Sequence, residues 1–136
     1  MQNYAIGTPG KPWGTKEKEL WLAAQVVQRS YHDEVVQQLM GIVPTGFKVV
    51  QYGSLPYDEE RYPLYAIVPE CFDSAKPSAL VTGGVHGYET SGVQGALKFI
   101  RNNLLNYAKD INLVVVPCVS PWGYETINRW NPLAID

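Results

Sequence analysis

The sequence predicts an α/β fold: a mixed sheet in which an antiparallel hairpin leads into a parallel βαβ unit, with helices on the sheet's faces. Three observations predict it. Phe47 to Tyr52 and Tyr62 to Val68 are strand-like, and Gly53-Ser-Leu-Pro56-Tyr-Asp58 between them has hairpin turn chemistry. A helical pattern from Glu89 to about Ala108 separates two further strand-like runs, Leu80 to Val85 and Asn112 to Val119. The unbroken apolar stretch Leu113-Val-Val-Val116 has the composition of a strand covered on both faces, so the helix before it closes a right-handed crossover between parallel strands.

Residues 1–14 carry Gly7, Pro9, Gly10, Pro12 and Gly14 and read as an irregular lead-in to a single domain spanning 1–136. From Thr15 the pattern is helical. Leu20, Ala23, Ala24 and Val27 fall at three- and four-residue spacings, leaving Lys16, Glu17 and Arg29 to the wet face. Ser30 precedes Asp33 as in a capping box, Val35, Val36, Leu39 and Met40 follow, and Gly41 and Pro44 end the segment. One bent helix or two consecutive ones are expected. Pro63 suits the start or the edge of its strand. Residues 70–78 form a connection, and Leu80 opens a strand, expected to be buried, that stops at a glycine pair.

Composition narrows the function. A hydrophobic content of 46% and a charged content of 18% are those of a globular chain, long enough to bury roughly two-thirds of its unfolded surface. A formal net charge of −2 offers no basic footprint for nucleic acid or an anionic membrane. No apolar run approaches the ~20 residues of a membrane helix. The N-terminus shows no basic-then-apolar leader, so a cytoplasmic location is expected. Cys71 and Cys118 lack metal-site spacing and read as small apolar residues in a reducing compartment.

The candidate chemistry lies after Leu80-Val-Thr-Gly-Gly-Val. His86 and Glu89 are three residues apart where a strand gives way to a helix, at the C-terminal edge of a parallel sheet. Imidazole and carboxylate are ligands that Zn²⁺ accepts, and a turning backbone brings the two toward one point. Gly83, Gly84 and Gly87 permit the corner. The same spacing also fits a turn in which His86 only hydrogen-bonds and Glu89 offsets the helix dipole. Arg129, on the same edge, suits a grip on a carboxylate or a developing oxyanion, or equally a surface stack on Trp122 or Trp130. Asp136 is placed either to hold the second nitrogen of a metal-bound His or to be solvated. His32 reads as a surface histidine, and Glu59, Glu60 and Arg61 as a solvated turn. Trp13, Trp21, Tyr52 and Tyr65 fit core or sheet-face packing.

Read together, these segments resemble the N-terminal part of a zinc carboxypeptidase of the carboxypeptidase A type. Gly83-Gly-Val-His86-Gly-Tyr-Glu89 is similar to the family's G-x-H-x-x-E. Pro117-Cys-Val-Ser-Pro121-Trp-Gly-Tyr124 is similar to the loop commonly written N-P-D-G, with Ser120 and Trp122 in place of Asn and Asp. Arg129-Trp-Asn-Pro-Leu-Ala-Ile-Asp136 resembles R-x-N-x-x-G-x-D, with Ala134 where Gly is usual.

The resemblance implies Zn²⁺ as cofactor, with His86 and Glu89 as ligands, Arg129 as the substrate-binding or carbonyl-polarising arginine, and Asp136 fixing the tautomer of His86. It implies removal of C-terminal residues from peptides by metal-activated water. The second zinc-binding His, a Tyr and the general-base Glu would follow Asp136, so no catalytic base is expected in this chain. Taken alone, it is expected to show little or no peptidase activity. Expected partners are a peptide or small amide substrate and, at an unpaired sheet edge along Leu113 to Val116, a C-terminal half or a second copy. Two other readings stay open. One is an N-acyl amino acid deacylase like the aspartoacylase and succinylglutamate desuccinylase group, which shares H-x-x-E. The other is a non-catalytic interaction module.

Overall fold

A computed structural model describes residues 5–136. The first four residues of the lead-in lie outside the described residues, and 5–14 form bends and a turn. Helix α1 (Thr15–Ala23) starts at Gly14, whose N–H donates to Glu17 Oε2 at 2.9 Å. It turns Trp21 inward and leaves Leu20 exposed, so the predicted apolar stripe is off by one position. The helix also stops before Val27, which is exposed. Val26 and Val27 are β-branched and extend a helix poorly, and the Gln28 N–H donates instead to the Glu125 carbonyl, at 2.8 Å. A π-helical turn (His32–Val36) follows and runs into α2 (Gln37–Gly41). Ser30 Oγ accepts the Asp33 N–H at 3.0 Å, the capping contact that the sequence suggested.

Strands β1 (Phe47–Ser54) and β2 (Pro63–Pro69) pair antiparallel, with a bulge between Gln51 and Gly53 and Pro63 as the first residue of its strand. β3 (Ser78–Thr82) and β4 (Asn112–Val116) pair parallel through the crossover helix α3 (Thr90–Asn102). The predicted single helix to Ala108 breaks at Asn103, and α4 (Leu104–Tyr107) is a separate turn. Val93, Ala96, Leu97, Ile100 and Leu104 form the buried stripe of α3 and α4. They join Ile67, Leu113, Val115, Val35 and Leu39 in one core.

The sheet order is β1-β2-β4-β3, a mixed α/β arrangement. It corrects two expectations. β4 is no edge strand: β2 pairs with it at Ile67 and Val115, and only Val114 of its residues is partly exposed. Among the described strands the edge on that side is β3, and β3 is not buried, with Leu80 65% exposed. Beyond β4 the chain does not loop freely either. Pro121, at the first helical position, opens α5 (Pro121–Thr126), every residue of which is buried. Cys118 is buried as expected, whereas Cys71 is exposed.

Candidate metal centre

Both parallel strands end at one corner. The Gly83 N–H donates to the Val116 carbonyl, and Val119 and Ser120 donate back to the carbonyls of Gly83 and Gly84 at 3.0 and 2.9 Å. The two strand ends stay laced together as they leave the sheet. Gly84 turns there with φ +60°, and a Cβ on it would lie 2.5 Å from Val93 Cγ2. Gly87 presses onto α5 so closely that a Cβ would fall 1.8 Å from the carbonyl carbon of Gly123. The glycines of the motif therefore answer to close approach and, at Gly84, to a left-handed backbone.

That corner aims the His86 ring. Nδ1 stands 3.3 Å from Glu89 Oε1, and Nε2 stands 2.9 Å from Asp136 Oδ1. The imidazole thus has a carboxylate on each side, one local and one from the last described residue. An ionised Asp136 accepts a hydrogen bond from Nε2–H, and in the neutral ring so held the lone pair on Nδ1 faces Glu89. Two lone-pair donors at 3.3 Å repel unless a proton or a cation lies between them. The edge of a zinc tetrahedron with bonds of about 2.0–2.1 Å is also about 3.3–3.4 Å. Glu89 is the N-cap residue of α3, half-exposed, and the ring of His86 stacks loosely beside Tyr88 at 6.2 Å.

Arg129 sits behind Asp136. Its Nε and Nη2 both donate to Asp136 Oδ2, at 2.9 and 2.7 Å. The Arg129 guanidinium, with a lesser contribution from His86, holds the Asp136 carboxyl below its ordinary range; Asp136 in turn raises the arginine. Arg129 therefore bonds a carboxylate of its own chain, and the stack on Trp122 or Trp130 that the sequence also allowed is not what occupies it. Asp136 is placed by a tight turn in which Asn131 Oδ1 accepts the N–H groups of Leu133 and Ile135, at 2.9 and 3.2 Å. Ala134 in that turn has φ +55°, a left-handed position where glycine costs least.

The four residues singled out in the sequence are thus brought together. Among the described residues, no three His, Cys, Asp or Glu side chains converge on one point, because Asp136 and Glu89 flank the ring from opposite sides. His86 and Glu89 are the pair able to share an ion. His32 lies apart, exposed and paired with Asp33 at 3.0 Å.

Two features escaped sequence reasoning. Arg29, expected on a wet helix face, is partly buried and bonds the loop that carries His86. Arg61, expected in a solvated turn, donates through Nε to Glu125 Oε2 at 2.7 Å. That carboxylate is buried and also accepts the Tyr62 hydroxyl and the Tyr31 N–H. The one local signal for α5, which brings the Tyr124 carbonyl to Arg29 and Glu125 to Arg61, was Pro121 at the first helical position.

The chain matches no protein-family model and no curated protein. Its fold does recur in solved structures. A candidate metallopeptidase from Shewanella denitrificans matches at 29% identity and a TM-score of 0.61, over 71% of this chain and 36% of that one. A second, from Shewanella amazonensis, matches at 26% identity and a TM-score of 0.63, over 81% of this chain and 43% of that one. A metallo-carboxypeptidase from Burkholderia cenocepacia shares the fold at 15% identity and a TM-score of 0.58, over 74% and 30% of the two chains. The chain therefore spans less than half the length of these proteins. It has the fold of metallopeptidases of the carboxypeptidase type, over a part of their length such as their N-terminal portion would make.

Proposed function

We propose that this chain carries half of the metal site of a zinc-dependent hydrolase of the carboxypeptidase type. The observation that carries the reading is the two-sided environment of His86: Nδ1 facing Glu89 Oε1 at 3.3 Å and Nε2 facing Asp136 Oδ1 at 2.9 Å. A carboxylate behind a histidine fixes its tautomer and raises its basicity toward a metal. His86 and Glu89 would hold zinc. In such a site zinc makes water nucleophilic near neutral pH and polarises a carbonyl. Asp136 keeps the ring oriented, and Arg129 anchors Asp136 while its remaining N–H groups can meet a substrate carboxylate or oxyanion.

Two donors leave the site incomplete, so binding is expected to be weak, with Kd between about 1 µM and 1 mM, roughly half the free energy of a four-ligand site. Calorimetric titration with zinc tests this. Binding of one ion per chain, lost in both His86→Ala and Glu89→Ala, supports the reading; equal binding by wild type and both variants overturns it. The substrate class that fits is a peptide with a free C-terminus. Hydrolysis of N-acyl amino acids in preference to such peptides, by a longer polypeptide containing this segment, would favour the deacylase reading.

The open side of β3 is proposed to pair with a further strand, from additional polypeptide or from a second copy. Its exposed Leu80 and its place at the edge of the described sheet support that role. No helix of the described residues is long and apolar enough to cross a membrane.

A further inference from the structure

We infer that Arg29 is a positioning residue for the metal-binding loop. It holds the backbone between His86 and Glu89 against α5 and thereby sets the separation of the two donors. The inference rests on the reading of His86 and Glu89 as metal donors. One guanidinium ties three segments together. Nη2 donates to the Gly87 carbonyl at 3.0 Å, inside the His86–Glu89 loop, and Nη1 donates to Thr90 Oγ1 at 2.7 Å, the first residue of α3. Nε donates to the Tyr124 carbonyl in α5 at 2.5 Å. The guanidinium carbon also lies 3.5 Å from the centre of the Tyr124 ring. That ring is itself anchored, because its hydroxyl donates to Glu34 Oε2 and accepts from Gln94.

Glu89 sits between the two points that Arg29 grips, and His86 adjoins one of them. Gly87 supplies the complementary surface, since its lack of a Cβ lets the loop lie flat on Gly123 and Tyr124. The chemistry also argues for position over stability. Pairing with a carboxylate would be the stronger charge-assisted contact. Among the described residues every hydrogen bond from Arg29 goes to a carbonyl or a hydroxyl, and its charge stands at the positive end of α3. Three acceptors arranged around one planar fork suit arginine and no other side chain.

Amide hydrogen exchange followed by NMR tests this without metal. Tyr88 N–H bonds to Asn128, Glu89 N–H to His86 and Gly92 N–H to Glu89. In Arg29→Gln these three amides are expected to exchange about tenfold faster, while Ile67 and Val115 in the central strands stay as in wild type. Arg29→Lys keeps the charge and loses the fork, and should also release the three loop amides. It serves as the readout if Arg29→Gln does not fold. Zinc affinity should fall about tenfold in the same variants. Loop amides that stay protected overturn the inference, as does an equal acceleration of Ile67 and Val115, which marks a general stabilising role. His86→Ala separates the two claims: unchanged zinc affinity in that variant removes the metal reading, whatever Arg29 does to the loop.

Discussion

Asp136 Oδ1 stands 2.9 Å from His86 Nε2, on the opposite side of the imidazole from Glu89. The two carboxylates orient the ring, and the nitrogen that faces Glu89 is Nδ1. Asp136→Asn keeps the shape and removes the charge. It is expected to lower zinc affinity about tenfold while leaving thermal stability within about 0.5 kcal/mol, because the group is exposed. Zinc titration and a melting curve on the same sample check both halves.

The buried Glu125 is expected to matter for folding rather than for metal. It receives Arg61, Tyr62 and the Tyr31 N–H, joining α5 to the segment ahead of the π-helical turn and to the start of β2. Glu125→Ala leaves those donors unmatched and should cost about 3 kcal/mol in urea denaturation. A loss under about 0.5 kcal/mol would contradict this account of the corner.

Leu80, 65% exposed on the open strand β3, should drive association when nothing else pairs there. Leu80→Lys places a charge on the edge and is expected to shift the light-scattering mass toward the monomer. An unchanged mass distribution would place self-association elsewhere.

Burial pushes the Cys118 thiol up from 9.0 to about 12. The unfolded chain ionises first, so the stabilising contribution is whole below pH 9 and erodes between pH 9 and 12, by up to about 4 kcal/mol. Stability should therefore fall across that range more steeply in wild type than in Cys118→Ala. At pH 8 a thiol reagent should modify the exposed Cys71 alone in the folded protein and both cysteines after denaturation.

How much of this was legible in the sequence depends on range. His86 and Glu89 could be read because their spacing is local and a strand-to-helix junction supplies the corner. Arg129 and Asp136 could be read from their residues only as one of two alternatives each, since the turn that brings Asp136 back to His86 runs through Asn131 and a left-handed Ala134. Arg29 was misplaced because helical periodicity was extended past Ala23, where hydrogen bonds from Gln28 and Arg29 to α5 replace the helix. The edge strand was misassigned for a similar reason. Nothing near Leu113 in sequence announces that β2 lies beside it, and the pairing of Ile67 with Val115 decides the sheet order.

The most direct test of the central claim is to follow the ring nitrogens of His86 by ¹⁵N NMR during zinc addition. The chain has only two histidines, so the signals can be assigned with single His→Gln variants. Zinc is expected to shift Nδ1 of His86, leave its Nε2 protonated, and leave the exposed His32 unmoved. A response at Nε2, at His32 alone, or at neither histidine would contradict the account.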